Sequence, residues 1–176
     1  MLVGMSFWAY LLLLSIGILW MLIRLFQPSK AKLGNMLKMG LFLAAFDWVF
    51  ETTGLVFGYW QSHGSILLLG PAVPAEVFLI CTCAGAALNL LAPMLSRKFE
   101  WETAVPLALL VASAGSGIEF LLTKTLPYAS LTYTGGWDSW AAYVSYFLVF
   151  ILFMYVSYYI DEMGQKGGKE KERPRK

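Results

Sequence analysis

The chain has 176 residues, of which 59% are hydrophobic and only 14% charged, with thirteen lysines and arginines against eleven acids for a net charge of +2. A chain of this size with a mean hydropathy of +0.64 carries more apolar surface than one small core can hide, which excludes an ordinary water-soluble domain and makes lipid its solvent. No basic stripe interleaved with exposed aromatics runs through the body, so nucleic acid is not an expected partner. Two cysteines, Cys81 and Cys83, lie within an apolar run and give no disulfide framework.

Five apolar stretches follow in chain order: Phe7 to Phe26, Met39 to Trp60, Pro74 to Leu95, Ala104 to Leu122, and Trp140 to Ile160. Each approaches the ~20 residues a helix needs to cross ~30 Å of hydrocarbon. The first has no basic segment before it and no small-residue cleavage pattern after it, so it reads as a span and not as a cleaved signal. Between the second and third stretches, Ser65 to Val73 is apolar but too short to cross, and reads as a loop lying at the interface or dipping in beside the third helix. The expected fold is all-α: a polytopic membrane protein of five helices over 1–163, with a disordered basic tail over 164–176.

Charge sets the expected orientation. Twelve of the thirteen cations fall on the face shared by the C-terminus, and Lys124 alone falls on the other. The positive-inside bias therefore puts the N-terminus outside and the C-terminus in the cytoplasm of a multi-pass cell-membrane protein.

The informative residues are carboxylates inside the apolar runs: Asp47 and Glu51 in the second, Glu76 at the outer start of the third, and Glu119 near the outer end of the fourth. A charged carboxylate at mid-bilayer costs about 2.5–3.5 kcal/mol even on lenient insertion scales. Asp47 and Glu51 are four apart and so project from one helix face. No cation lies at matching depth, and burial with mutual repulsion favours the neutral acid, a general acid in waiting. Quieter roles exist for each: Glu76 after Pro74 is an ordinary helix start, Glu119 pairs with Lys124 at the surface, and Asp47 makes an inter-helix hydrogen bond. Trp48, Tyr59, Trp60, Phe78, Tyr133 and Trp137 surround these acids. They serve either as interfacial anchors or as ring faces that stabilise a positive charge.

Gly54 and Gly58 form a GxxxG spacing, and residues 113–117 are a run of small residues; both read as surfaces for close helix approach. Cys81 and Cys83 are two apart on a helix and cannot clamp a metal, and a single histidine, His63, builds no metal site. The stretch with Asp47, Glu51, Gly54, Gly58-Tyr59-Trp60 and the stretch with Glu119, Tyr133, Gly135-Gly136-Trp137 share an order of acid-bearing helix, aromatic and glycine-rich outer segment, then helix, as an internal repeat would.

The order Asp47, Gly54, Gly58-Tyr59-Trp60, a short loop and Pro74-Ala75-Glu76-Val77-Phe78 resembles the small integral-membrane carotenoid cyclases of the lycopene cyclase domain type, and the related membrane carotenoid hydratases. Val77 stands where the cyclase motif has its second Glu. The resemblance implies carotenoid biosynthesis: a hydrophobic polyisoprenoid substrate and an isomerase or lyase that starts by protonating an alkene. No redox cofactor or metal is required for that chemistry. On this reading Asp47 or Glu51 is the acid, and Glu76 or Glu119 the base or water-positioning group. Membrane lipid is the medium through which the substrate enters. Two other classes fit the same residues: a proton-coupled carrier whose acids relay protons, and a small scaffold that packs as a homo-oligomer or on a membrane partner subunit.

Overall fold

The computed structural model describes residues 7–62, 67–69, 73–95, 98–124, 131–133 and 139–171, with the side chains at 62, 119, 121–124, 131, 133, 139 and 164–171 left out. The elements are α1 (Phe7–Phe26), α2 (Lys30–Val56), β1 (Trp60–Ser62), β2 (Leu68–Leu69), β3 (Val73–Pro74), α3 (Ala75–Leu95), α4 (Trp101–Lys124), β4 (Leu131–Tyr133) and α5 (Ser139–Lys171). The fold is all-α, and five of its helices are long and apolar enough to cross a membrane.

Helix ends depart from the apolar stretches for local reasons. α2 begins nine residues before Met39 because Ser29 caps it, its side chain accepting from Lys32 N at 3.2 Å. Its first turns carry Lys30, Lys32, Asn35 and Lys38, polar residues that an apolar window leaves out. It ends at Val56 because Gly58 takes φ +67, a left-handed turn that suits glycine, and Tyr59 N donates to Gly54 O at 2.8 Å. α5 continues to Lys171, so residues 164–171 extend the last helix where their composition suggested a disordered tail; adding turns to an existing helix costs far less than starting one.

α2 packs antiparallel on α3, and α4 on α5; α3 and α5 meet in the middle, while α1 leans on α3. The α2–α3 approach is set by two glycines. A Cβ on Gly85 would stand 2.7 Å from the Met39 carbonyl oxygen and 2.9 Å from Gly40 Cα, and one on Gly40 would collide with the Thr82 carbonyl. Met36, Ala86 and Leu90 close this seam toward α1, against Leu19, Leu22, Ile23 and Phe26. The expected approach surface at Gly54 and Gly58 is corrected: Gly54 makes room for the Trp60 ring, and Gly58 has nothing within 4 Å. On α4, Gly115 lies against the Tyr146 ring of α5, 3.0 Å from where its Cβ would be.

Beyond the helices, β1 pairs antiparallel with β4 in the register Trp60–Tyr133, Gln61–Thr132 and Ser62–Leu131. β2 pairs with β3, and Ala75 N donates to Leu67 O at 2.8 Å, so the described part of the expected interface loop is a small hairpin leading into α3. α2 and α4 begin 71 residues apart, at Lys30 and Trp101, and β1 and β4 begin the same 71 residues apart, at Trp60 and Leu131. Between α2 and α3 stand β1, β2 and β3, whereas β4 is the one described strand between α4 and α5.

Candidate functional site

The site lies where the C-terminal half of α2 faces the start of α3. Asp47 is nine residues before the end of α2, about 14 Å along its axis, and Glu51 is one turn nearer the end. Both are half-buried. Asp47 and Glu51 both lie close enough to the Cys81 thiol of α3 to bear on it electrostatically, Asp47 the more strongly. Glu76, in the first turn of α3, is buried at 6% exposure.

Trp60 closes this group at the C-terminal end of α2. Gly58 reverses the chain, Gly54 lets the indole lie flat against α2, and the ring is buried at 5% exposure. Its Nε1 donates to Glu51 Oε2 at 2.8 Å. An indole N–H can only donate, so Glu51 is held as an acceptor. Beside the acids runs a row of rings: Trp60 on Phe50 with centroids 5.0 Å apart, Phe50 on Phe46 at 6.3 Å, and Phe46 edge-on to Phe153 at 5.2 Å. Phe153, fully buried on α5, also meets Phe42 at 5.2 Å. Phe42, Phe46 and Phe50 are spaced by four on α2, one position before Leu43, Asp47 and Glu51, so the aromatic row and the acid row adjoin.

The other expected site residues fall in several places. Tyr59 stacks between Phe57 and Trp60 and is partly exposed. Trp48 faces outward, and its Nε1 donates to Leu69 O at 3.3 Å, which ties the small hairpin to α2. Phe78 is half-buried on α3. The backbone of Tyr133 pairs with Trp60, placing β4 over the same end of the bundle as Asp47 and Glu51. The side chains of Glu119, Lys124 and Tyr133 lie outside the described residues, as do Trp137 and His63.

Sequence reasoning missed Cys81 and Phe153. The antiparallel stagger that carries Cys81 to Asp47 is set by Gly40 and Gly85, two glycines on different helices that no local pattern links. Phe153 sits in an unbroken apolar run with nothing to mark it. Among the described residues, no three or more ligand-type side chains converge as a metal site would need.

A second buried polar contact lies deeper. Asn89 Nδ2 of α3 donates to Ser157 Oγ of α5 at 2.9 Å and to Ser157 O at 3.3 Å, and both residues are fully buried. At the basic end, Asp161 accepts from Lys32 Nζ at 2.5 Å and from Asn35 Nδ2 at 3.0 Å. Compared with family models, curated proteins and solved structures, the chain gives no match in any of the three.

Proposed function

We propose that the protein is a membrane-embedded enzyme that modifies a polyisoprenoid, a carotenoid cyclase or hydratase, with its basic end in the cytoplasm and its acid-bearing end outside in a cell membrane. The observation that carries this reading is the pair Asp47 and Glu51, set side by side on α2 against Cys81 and Trp60, with a row of aromatic rings next to them.

In the reaction, the Asp47 O–H transfers its proton to one carbon of a trisubstituted alkene; the π pair becomes the new C–H bond and leaves a tertiary cation on the other carbon. A ring face can stabilise such a cation by about 0.5–2 kcal/mol, and the row from Trp60 to Phe46 offers several. In a cyclase, a second alkene of the same chain attacks the cation and forms a C–C bond, and Glu51 removes a neighbouring proton. In a hydratase, water adds to the cation and Glu51 takes the proton that the water loses. Passing that proton back to Asp47 completes the cycle, and no electrons are gained or lost. On this reading Cys81, near the proposed acid on the facing helix, is a positioning residue.

The test is turnover of a panel of acyclic polyenes by the purified protein in liposomes, read by absorption and mass. Cyclisation shortens the chromophore at constant mass, and hydration adds one water. D47N should abolish either product while leaving insertion and folding intact; product formation by D47N at the wild-type rate would refute the assignment.

One observation favours a second reading, proton-coupled transport. The Asn89–Ser157 contact lies eight residues along α3 from Cys81, about 12 Å, and toward the Lys32–Asp161 pair, so polar groups occur at three depths. Proteoliposomes under a pH gradient decide it: a carrier shows flux that E51Q stops, and an enzyme shows none.

A further inference from the structure

The basic end of the bundle holds a cavity of about 980 Å³, remote from Asp47 and Glu51, between the first turns of α2, the end of α3, the segment leading into α4 and the later turns of α5. Among the described residues, its walls carry Lys32, Lys38 and Lys98 against Asp161 and Glu162, a surplus of one positive charge. Asp161 is anchored by Lys32 and Asn35. Tyr158 donates to Ala92 O at 2.5 Å and fixes α5 on α3, while Phe99 packs edge-on against Tyr155 and Tyr158.

The cavity also meets the outer surface of α5. Tyr155 and Tyr159 line it, yet they are 54% and 53% exposed. They continue a stripe with Leu148 and Leu152, also exposed, spaced by three and four along one face of the helix. A charged chamber therefore opens directly onto an apolar ridge.

We infer that this cavity binds the headgroup of an anionic phospholipid, phosphatidylglycerol in chemical class, whose acyl chains lie along the α5 stripe. A phosphodiester carries one negative charge, which the surplus among the described residues can meet. Lysine ammonium groups and tyrosine hydroxyls are the donors that phosphate oxygens accept from. The carboxylates of Asp161 and Glu162 repel a bare phosphate but accept from the hydroxyls of a glycerol headgroup. Basic pockets between membrane-spanning helices recognise anionic headgroups in this way. A soluble phosphate meets the charge and leaves the ridge without a role. The inference stands apart from the proposed enzyme, since none of its residues belongs to that site.

Native mass spectrometry of the full chain in mild detergent tests it, with phosphatidylglycerol, phosphatidylcholine or inorganic phosphate added in turn. The expected result is a one-to-one phosphatidylglycerol adduct that survives where phosphatidylcholine is lost. Removing two of the lysines with K38Q/K98Q should weaken it about thirtyfold. Y159F keeps the ring and the charges and should weaken it by a smaller factor, so the outcome does not hang on the double variant alone. Equal retention of both lipids by the wild type, or unchanged affinity in both variants, overturns the site. Displacement of the lipid by millimolar inorganic phosphate overturns the lipid as its occupant.

Discussion

Enlarging Gly85 by one methyl group probes whether the α2–α3 seam holds the proposed site together. The nearest atoms to the new Cβ are the Met39 carbonyl oxygen at 2.7 Å, Gly40 Cα at 2.9 Å and Leu43 Cβ at 3.0 Å, against an ordinary contact of at least 3.4 Å. The two closest are backbone, so the helices themselves must part by about 0.7 Å. Overpacking of this kind costs about 1–3 kcal/mol. Alanine returns about 0.8–1 kcal/mol in helix propensity, leaving G85A about 1 kcal/mol less stable. Activity should fall further than stability, because a shift near 1 Å in a reacting group can cost about a hundredfold. Unfolding of the purified protein in a denaturing-detergent titration measures the first quantity. G17A is the control, since a Cβ on Gly17 of α1 meets nothing within 4 Å and should be neutral or stabilising. If G85A proves as stable as G17A, the glycine-set contact does not define the seam and the placement of Asp47 against Cys81 loses its cause.

Two more predictions concern single hydrogen bonds. W60F keeps a ring against Gly54 and Phe50 but removes the 2.8 Å donor to Glu51; the loss should be about 1–3 kcal/mol of stability, and it should be smaller in E51Q/W60F, where the acceptor is no longer a carboxylate. The thermal midpoints of the four proteins in that cycle give the coupling, and a coupling of zero would show the contact to be incidental. For Asn89 and Ser157, the cycle of N89A, S157A and the double variant should give a coupling of about 0.6 kcal/mol and no more than ~1.7, the range of interhelical hydrogen bonds in lipid. Additive effects would mean that α3 and α5 are held there by packing alone.

Much of the fold was legible because lipid as solvent leaves a chain few choices. Lengths near twenty apolar residues mark α1 and α3 almost to the residue, since both begin and end where the apolar character does. α2 and α5 outrun their apolar stretches because caps and propagation, not hydropathy, decide where a helix stops: Ser29 extends one end of α2 and Gly58 terminates the other. The Gly54, Gly58, Trp60 spacing was visible, but its meaning was not. A GxxxG pattern is the same string whether it seats another helix or a tryptophan four residues past the helix end. Asp47 and Glu51 stood out through the cost of burying them, a property of single residues. Cys81, Phe153 and the Asn89–Ser157 contact depend on how one helix slides along another, which no local pattern encodes. The β1–β4 pairing likewise joins segments 71 residues apart, and nothing local in the sequence marks it.

Running the polyene panel in heavy water tests the proposed chemistry most directly, because the proton that starts the reaction must come from a carboxyl that exchanges with solvent. The expected result is a cyclised or hydrated product bearing solvent deuterium on the protonated carbon, formed by the wild type and absent with D47N. Folded wild-type protein that transforms no polyene, or a product whose new C–H hydrogen does not come from solvent, would contradict it.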